Sequence, residues 1–400
     1  GIRFDRNMIH YYGYKPDDYL DTPIEQTLED MTSKDFRQRI NQLNASVGFG
    51  SNFPDSARIS YHSGLEYNWL TDRYDAMEHN IRFRGGIGRE MEDPFALLDQ
   101  LYLGLDFGTD FYRNRMPVDT ISNALISIFP KIMVKYDILK LFAGVNINVQ
   151  ADTASYFRVY PNIGLEAALI DRHLILHSEF SGGMKRQSLR ELLRENPFMT
   201  SNVPLAFQNN KMKISAGIKG AFTDQFSYNL GLFSSRIDNY PFFVTDTTSL
   251  LHNEFTLAYD NLHQLQVRGE LFGQFGSRFQ VRLSASYFQN NPEVELEAWH
   301  LPNLILGLNM KYNMQDKIIL SADLSSRDAA YGRIFNELGK PEAYQLYDWH
   351  IDANLGLEYR YSRILSFFLN FQNLANQSLE RWLNYPSQKF HIMGGATWSF

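Results

Sequence analysis

The feature that most constrains this chain is a strict two-residue alternation of apolar and polar side chains, sustained well beyond the length of an ordinary strand. From Tyr347 to Tyr361 the odd positions are Tyr347, Trp349, Ile351, Ala353, Leu355, Leu357, Tyr359 and Tyr361. The even positions are Asp348, His350, Asp352, Asn354, Gly356, Glu358 and Arg360. Successive side chains of a strand point to opposite faces, so the segment predicts one apolar face, aromatic at both ends, and one polar face. The pattern recurs. Leu365, Phe367, Leu369 and Phe371 share a face, as do Phe279, Val281, Leu283, Ala285 and Tyr287, and Leu139, Leu141, Ala143, Val145, Ile147 and Val149.

These segments match the roughly 9–11 residues that a tilted strand needs to cross a hydrocarbon layer. Strands of soluble proteins average about 5–6 residues, and a sandwich buries its apolar face without ringing it in aromatics. Composition agrees. Aromatics are 14 % of the residues, with 30 Phe and 23 Tyr, the types that form girdles at both interfaces of a transmembrane barrel. No run of about 18 uncharged apolar residues is present, so no spanning helix is encoded. A net charge of −7 argues against nucleic acid as a partner. The absence of cysteine removes disulfides, thiolate metal sites and a cysteine nucleophile.

Connections add an orientation. Minimal turns are predicted near Asp137, Asp171–Arg172, Asp224, Gly276–Ser277, Gln315–Asp316 and Ser362. Longer polar connections are predicted around 71–77, 113–120, 187–209, 237–252, 291–301, 329–344 and 376–387. Short and long alternate, as periplasmic turns and external loops do in an outer-membrane barrel. The expected fold is therefore all-β, a transmembrane antiparallel up-and-down β-barrel of about 16–18 strands; about 17 are read from residue 37 onward, such counts are even, and a further strand within 1–14 makes 18 the favoured number. It spans 1–400 as a single domain, with 1–36 as a first strand and external loop or an N-terminal extension. The C-terminus is expected on the periplasmic side.

The last stretch resembles the end of a TonB-dependent receptor barrel. The resemblance rests on Phe367-Phe368-Leu369-Asn370-Phe371-Gln372-Asn373-Leu374-Ala375-Asn376, on Asn384-Tyr385-Pro386, and on a closing strand to Trp398-Ser399-Phe400. Its flavour is that of Bacteroidota-type receptors. It implies an outer-membrane location, surroundings of lipid and lipopolysaccharide, binding and uptake of a nutrient, and an insertion signal at Trp398 and Phe400. Receptors of that family also carry an N-terminal plug domain that engages TonB, and residues 1–36 are too short and too polar to be one. TonB is thus a partner only if a plug lies upstream. The alternative is a plugless barrel serving a multiprotein outer-membrane assembly, secretion or uptake complex, with other barrels or surface lipoproteins as partners.

Candidate polar residues fall on the predicted inner face: Asp323, Arg327, Asp348, His350, Asp352, Glu358, Arg360, Arg268, Glu270, Arg278 and Arg282, with Lys317 and Lys389. Their mixed signs suit a wall of ion pairs better than a charge-selective pore. Asp348, His350 and Asp352 have the spacing of an acid–base group, but a lumen wall of paired charges is the favoured reading, and no nucleophile motif accompanies them. His173 and His177 would share a strand face, without a visible third metal ligand. Arg84-Gly85-Gly86-Ile87-Gly88 lies in a strand pattern with no helix after it, so its glycines are read as relieving crowding. Ser188 and Glu191 fit a capping box that opens a short helix in the loop 187–209. No cofactor and no enzymatic activity are expected.

Overall fold

The computed structural model describes residues 1–51, 58–92, 97–152 and 154–399. Its strands are β1 (Ile2–His10), β2 (Arg37–Gly50), β3 (Ile59–Thr71), β4 (Met77–Glu92), β5 (Gln100–Arg115), β6 (Thr120–Tyr136), β7 (Leu139–Ala151) and β8 (Ser155–Ile170). There follow β9 (Leu174–Arg186), β10 (Phe207–Thr223), β11 (Phe226–Thr245), β12 (Phe255–Phe275), β13 (Phe279–Pro292), β14 (Leu304–Met314) and β15 (Ile318–Arg327). Last come β16 (Ala330–Phe335), β17 (Pro341–Tyr347), β18 (His350–Arg360), β19 (Leu365–Gln372), β20 (Glu380–Trp382), β21 (Tyr385–Pro386) and β22 (His391–Trp398). Two short helices, α1 (Pro23–Asp30) and α2 (Leu189–Glu195), lie in connections. Eighteen strands form one antiparallel up-and-down sheet, while β16–β17 and β20–β21 are separate two-stranded ribbons. The chain groups into two compact units. The first comprises Gly1–Glu166, Glu179–Ile214 and Ser235–Leu262, and the second Ala167–Ser178, Ser215–Ser234 and His263–Phe400.

The first unit is inside-out relative to a soluble protein. On β2 to β5, Val47, Phe49, Leu65, Ile81, Phe83, Ile87, Leu103, Leu105, Phe107 and Phe111 are 37–69 % exposed. On the opposite faces Gln38, Asn68, Glu78, Asn80, Asn114, Asn123 and Asn148 are only 0–4 % exposed. Water would penalise so large an apolar surface, whereas lipid tails solvate it. The glycines of β4 are packing devices, as their strand context suggested. A Cβ on Gly85 would stand 2.6 Å from the Phe107 ring, and one on Gly88 would stand 2.1 Å from the Tyr102 hydroxyl.

In the second unit the apolar face of β18 is likewise displayed, through Leu355, Leu357 and Tyr359. The 315–317 connection is a tight hairpin in which Gln315 and Asp316 both have positive φ, 55° and 59°, as a type I′ turn requires.

Several boundaries differ from the sequence reading. The connections at 71–77 and 113–120 shrink to 72–76 and 116–119. The Asp72 carboxylate closes the first by accepting hydrogen bonds from Tyr74 N at 2.9 Å and Ala76 N at 2.8 Å. β11 runs on to Thr245, so the 237–252 loop becomes 246–254. The expected strand 347–361 divides: Tyr347 ends β17, and β18 begins only at His350. Phe400, half of the expected insertion signal, lies outside the described residues; Trp398 ends β22 opposite Leu365.

Candidate functional site

The polar faces of β2 to β6 are knitted together by register. Asn44 stands opposite Asn68, Asn68 opposite Asn80, and Arg82 opposite Asp110. Side chains pair accordingly. Asn44 Nδ2 donates to Asn68 Oδ1 at 2.7 Å, and Asn68 Nδ2 donates to Asn80 Oδ1 at 3.2 Å. Asp110 receives Arg82 at 2.8 Å and Arg84 at 2.5 Å, and Lys131 pairs with Asp106. Partnered charges of both signs form this wall, which is what burial of charge demands.

The connection 187–206 folds onto this wall. Ser188 caps α2, its Oγ accepting from Glu191 N at 3.4 Å. The second half of the capping box is absent: the Glu191 carboxylate pairs with Lys185 at 3.0 Å. A strand residue takes its place. Glu78 accepts from Ser188 Oγ at 2.8 Å, from the backbone N–H of Leu189 at 2.7 Å and of Arg190 at 3.3 Å, and from Asn114 Nδ2 at 2.8 Å. A carboxylate beside a helix N-terminus satisfies orphan donors and meets the positive end of the helix dipole. Below it Arg186 is buried, with its guanidinium 5.5 Å from the Tyr112 and Phe207 ring centroids and its Nε donating to Asn123 at 2.9 Å.

The rest of the connection has a small core of its own. Leu189, Leu192, Met199, Val203, Phe255 and Leu262 are at most 2 % exposed. Tyr11 Oη donates to Met199 O at 2.8 Å, Thr200 N to Phe255 O at 2.8 Å, and Tyr19 Oη to Leu251 O at 2.7 Å. The segments 11–36, 187–206 and 246–254 are thus sewn together. Ser201 Oγ donates to Asp72, which also accepts from Gln38 Nε2 at 3.0 Å. Burial pushes the Asp72 carboxyl above its ordinary range, although these hydrogen bonds pull it down. Burial raises Glu254 too, helped by the negative charges of Asp246 and Asp72.

Beside α2 lies a cavity of about 830 Å³. Its charged lining comes from Arg3, Asp5, Arg190, Glu191 and Arg194, and its amides from Asn7, Gln42, Asn44 and Asn68; Arg6 borders it by its backbone position on β1, on the strand face of the exposed Phe4 and Met8. Arg3 pairs with Asp5 at 2.7 Å, and Arg190 with Glu66 at a loose 3.8 Å. The cavity therefore carries an excess of positive charge over a hydrogen-bonding floor.

The residues singled out from sequence mostly lie in the second unit, and they form local pairs rather than a site. Arg268 pairs with Glu270 at 2.5 Å, and Arg360 with Glu358 at 2.9 Å. Asn309 donates to Asp323 at 2.6 Å. Arg327 stands opposite His350, and Asp352 opposite Ser325. Arg282 lies 5.7 Å from the Phe272 ring. Arg278 sits in the turn before β13 rather than on the wall. Asp348 precedes β18, so it does not share the strand face of His350 and Asp352. His173 lies in the turn before β9, with Nδ1 2.6 Å from Ala221 O, and so does not share a strand face with His177. Glu78, Asp72 and Arg186 were missed. Alternation marks Glu78 and Arg186 as inward and polar, but Ser188 lies 110 positions from Glu78, Asn114 72 from Arg186, and Ser201 129 from the turn residue Asp72.

No protein-family model matches the sequence, and no curated protein matches it. Solved structures do match. The pyoverdine outer membrane receptor FpvA from Pseudomonas aeruginosa, bound to pyoverdine, aligns with a TM-score of 0.66 at 12 % identity over 91 % of this chain and 62 % of that one. A variant of the ferric enterobactin receptor PfeA from the same organism gives 0.69 at 14 % identity over 100 % of this chain and 66 % of that one. The ferric-catecholate import receptor Fiu from Escherichia coli gives 0.65 at 11 % identity over 100 % of this chain and 72 % of that one. The chain spans a little over three fifths of the length of the first of these, 62 %. At such identities the likeness is one of fold alone: the chain is similar to the β-barrels of these outer-membrane receptors, the resemblance its C-terminal residues carried.

Proposed function

We propose that the protein is an outer-membrane barrel of receptor type that takes up a small polar, anionic ligand at its long-loop end. The observation that carries this is the 830 Å³ cavity between β1–β2 and α2, with Arg3, Arg190 and Arg194 around an amide floor. Guanidinium groups bind carboxylate, phosphate and phenolate oxygens through charge-assisted hydrogen bonds. The inside-out first unit supports a membrane location, and the alternation of tight turns with long loops supports external loops and a periplasmic C-terminus. The solved neighbours are described as receptors for pyoverdine and ferric enterobactin and as a ferric-catecholate importer, so an oxygen-rich ferric chelate is the first ligand class to try. TonB enters the reading only where a plug domain accompanies the barrel.

The test is a titration of the purified protein with ferric enterobactin and with ferric pyoverdine, followed by tryptophan fluorescence. Saturable binding is expected. Arg190→Ala with Arg194→Ala should weaken it by an order of magnitude or more, since each lost charged contact costs about 1.5–3 kcal/mol. No saturable binding, or binding indifferent to both substitutions, sinks the reading.

A separate observation favours a scaffold role in an outer-membrane assembly. Val294 and Leu338, on loops of the second unit, are 82 % and 80 % exposed. This reading expects other barrels or surface lipoproteins to co-purify with the protein and to be lost on Val294→Asp with Leu338→Asp.

A further inference from the structure

The outward face of the first unit holds a second recess of about 430 Å³, lined by Tyr67, Met77, His79, Ile81, Phe111, Arg113, Arg115 and Thr120. It is unrelated to the cavity beside α2, which uses the opposite strand face. Its shape follows from register. Ile81 stands opposite Tyr67 and Phe111, and Phe111 opposite Ala124. The next row places His79 beside Arg113 and Arg113 beside Ser122; the row beyond places Met77 beside Arg115 and Arg115 beside Thr120. Large rings on β3 to β5 therefore meet small side chains on β6, and the step between them is an apolar trough.

The two arginines stand where the apolar band ends. The outward residues of β5 run Leu101, Leu103, Leu105, Phe107, Thr109 and Phe111, and only then Arg113 and Arg115. That run of outward positions is about what a tilted strand needs to cross the hydrocarbon layer. Both guanidinium groups are exposed, and neither has an acidic or hydrogen-bonding partner among the described residues. The inner wall of the same strand is different, because there Asp110 is paired twice. On one strand face the arginines are about 6.6–7 Å apart, near enough for both to reach the oxygens of one phosphate.

We infer that this recess binds one lipid of the surrounding leaflet whose phosphate-bearing headgroup is net negative, with an acyl chain in the trough and its phosphate on Arg113 and Arg115. Charge complementarity selects the headgroup, and the apolar floor of Ile81 and Phe111 selects a lipid over a free anion. An unpaired cation at a lipid boundary is otherwise poorly placed, because only water or an anion can satisfy it. The inference rests on the membrane-spanning reading proposed above.

The protein is reconstituted in nanodiscs of phosphatidylcholine alone, or doped with phosphatidylglycerol or with lipid A, and released lipids are counted by native mass spectrometry. The wild type is expected to retain one net-anionic dopant lipid in excess of its bulk fraction, in preference to zwitterionic phosphatidylcholine. Arg113→Gln with Arg115→Gln should lower that retention about tenfold, equivalent to roughly 1.4 kcal/mol. Ala124→Phe, which fills the trough and leaves both charges, should lower it as well. Arg172→Gln, a turn arginine of the second unit, should leave it unchanged. Equal retention in wild type and double variant, or displacement of the lipid by inorganic phosphate, overturns the site. So does a second copy of the chain in the lipid's place. Failure to enter nanodiscs overturns the membrane reading and the site together; insertion without lipid preference overturns the site alone.

Discussion

The two units use a carboxylate in different ways at their long connections, Glu78 buried at 1 % exposure and Glu295 partly exposed at 17 %. In the first, Glu78 belongs to a strand and holds the start of α2 through three donors of the connection 187–206. In the second, Glu295 belongs to a loop and holds a loop residue and a ribbon strand: Trp299 Nε1 donates to it at 2.7 Å and Arg333 of β16 at 3.1 Å. His300 then stacks toward Trp382 at 5.0 Å. The first arrangement fixes a loop to the sheet wall and shapes the cavity beside it. The second ties a loop to the β16–β17 ribbon and leaves Val294, Leu296 and Leu338 outward. A carboxylate rooted in a strand fixes a connection to the sheet wall, whereas one rooted in a loop fixes that loop to a neighbouring ribbon.

The largest expected effect breaks the first arrangement. Glu78→Ala orphans Ser188, two backbone N–H groups and Asn114 while leaving Arg186 buried. Removing one partner from a buried charged network costs about 3–5 kcal/mol. Hydrogen exchange should show protection lost across 187–206, with 330–347 unchanged. Uniform loss across both segments would mean that Glu78 supports the whole fold rather than this connection.

Glu295→Ala is the counterpart and should cost less, because Arg333 and Glu295 retain partial access to water at 18 % and 17 % exposure. Leaving Trp299 Nε1 unsatisfied costs about 1–3 kcal/mol. Exchange should rise in 293–303 and in the β16–β17 ribbon, with 187–206 unaffected. Ser188→Ala is smaller again. It removes a cap worth about 1 kcal/mol, and Glu78 still receives the backbone donors of Leu189 and Arg190. A Ser188→Ala effect as large as that of Glu78→Ala would show that the cap, not the strand carboxylate, holds the helix.

What could be read from the sequence follows the range of the interaction that carries it. Alternation is local, so strands, faces and tight turns such as Gln315–Asp316 were legible, and the strand count came out at its favoured value. The N-cap at Ser188 was legible because its partner is Glu191. Its completion by Glu78 was not, because the two residues are 110 positions apart and a glutamate on a polar strand face looks like any wall residue. The same holds for Asp72 and Ser201. Charge was the misleading signal. Asp348, His350 and Asp352 alternate perfectly on paper, but the chain leaves the ribbon at Tyr347 before β18 begins, and that break removes Asp348 from the face. The arginines of the cavity beside α2 were invisible for a related reason, since Arg3 and Arg190 converge only once the connection has folded back.

The smallest expected effect is one of pH, and it distinguishes the units because it acts on 196–206 alone. Asp72 and Glu254 approach that segment from the β3–β4 turn and from the 246–254 connection, with Asp246 and Arg73 as the other nearby charges. Both carboxyls are raised above their ordinary values of 3.8 and 4.5. A raised acid binds its proton more tightly in the folded state, so its contribution is full below the ordinary value and declines as pH climbs through the raised one. Exchange rates in 196–206, corrected for the intrinsic pH dependence, should therefore show protection that is full below the ordinary values of 3.8 and 4.5 and falls as pH climbs above them. Asp72→Asn with Glu254→Gln should flatten that slope, and the 330–347 ribbon should show no slope in either protein. Protection that instead rises with pH in wild type would mean that ionised Asp72, held by Ser201, Gln38 and the Tyr74 and Ala76 amides, is the better latch, and that hydrogen bonding outweighs burial at this turn.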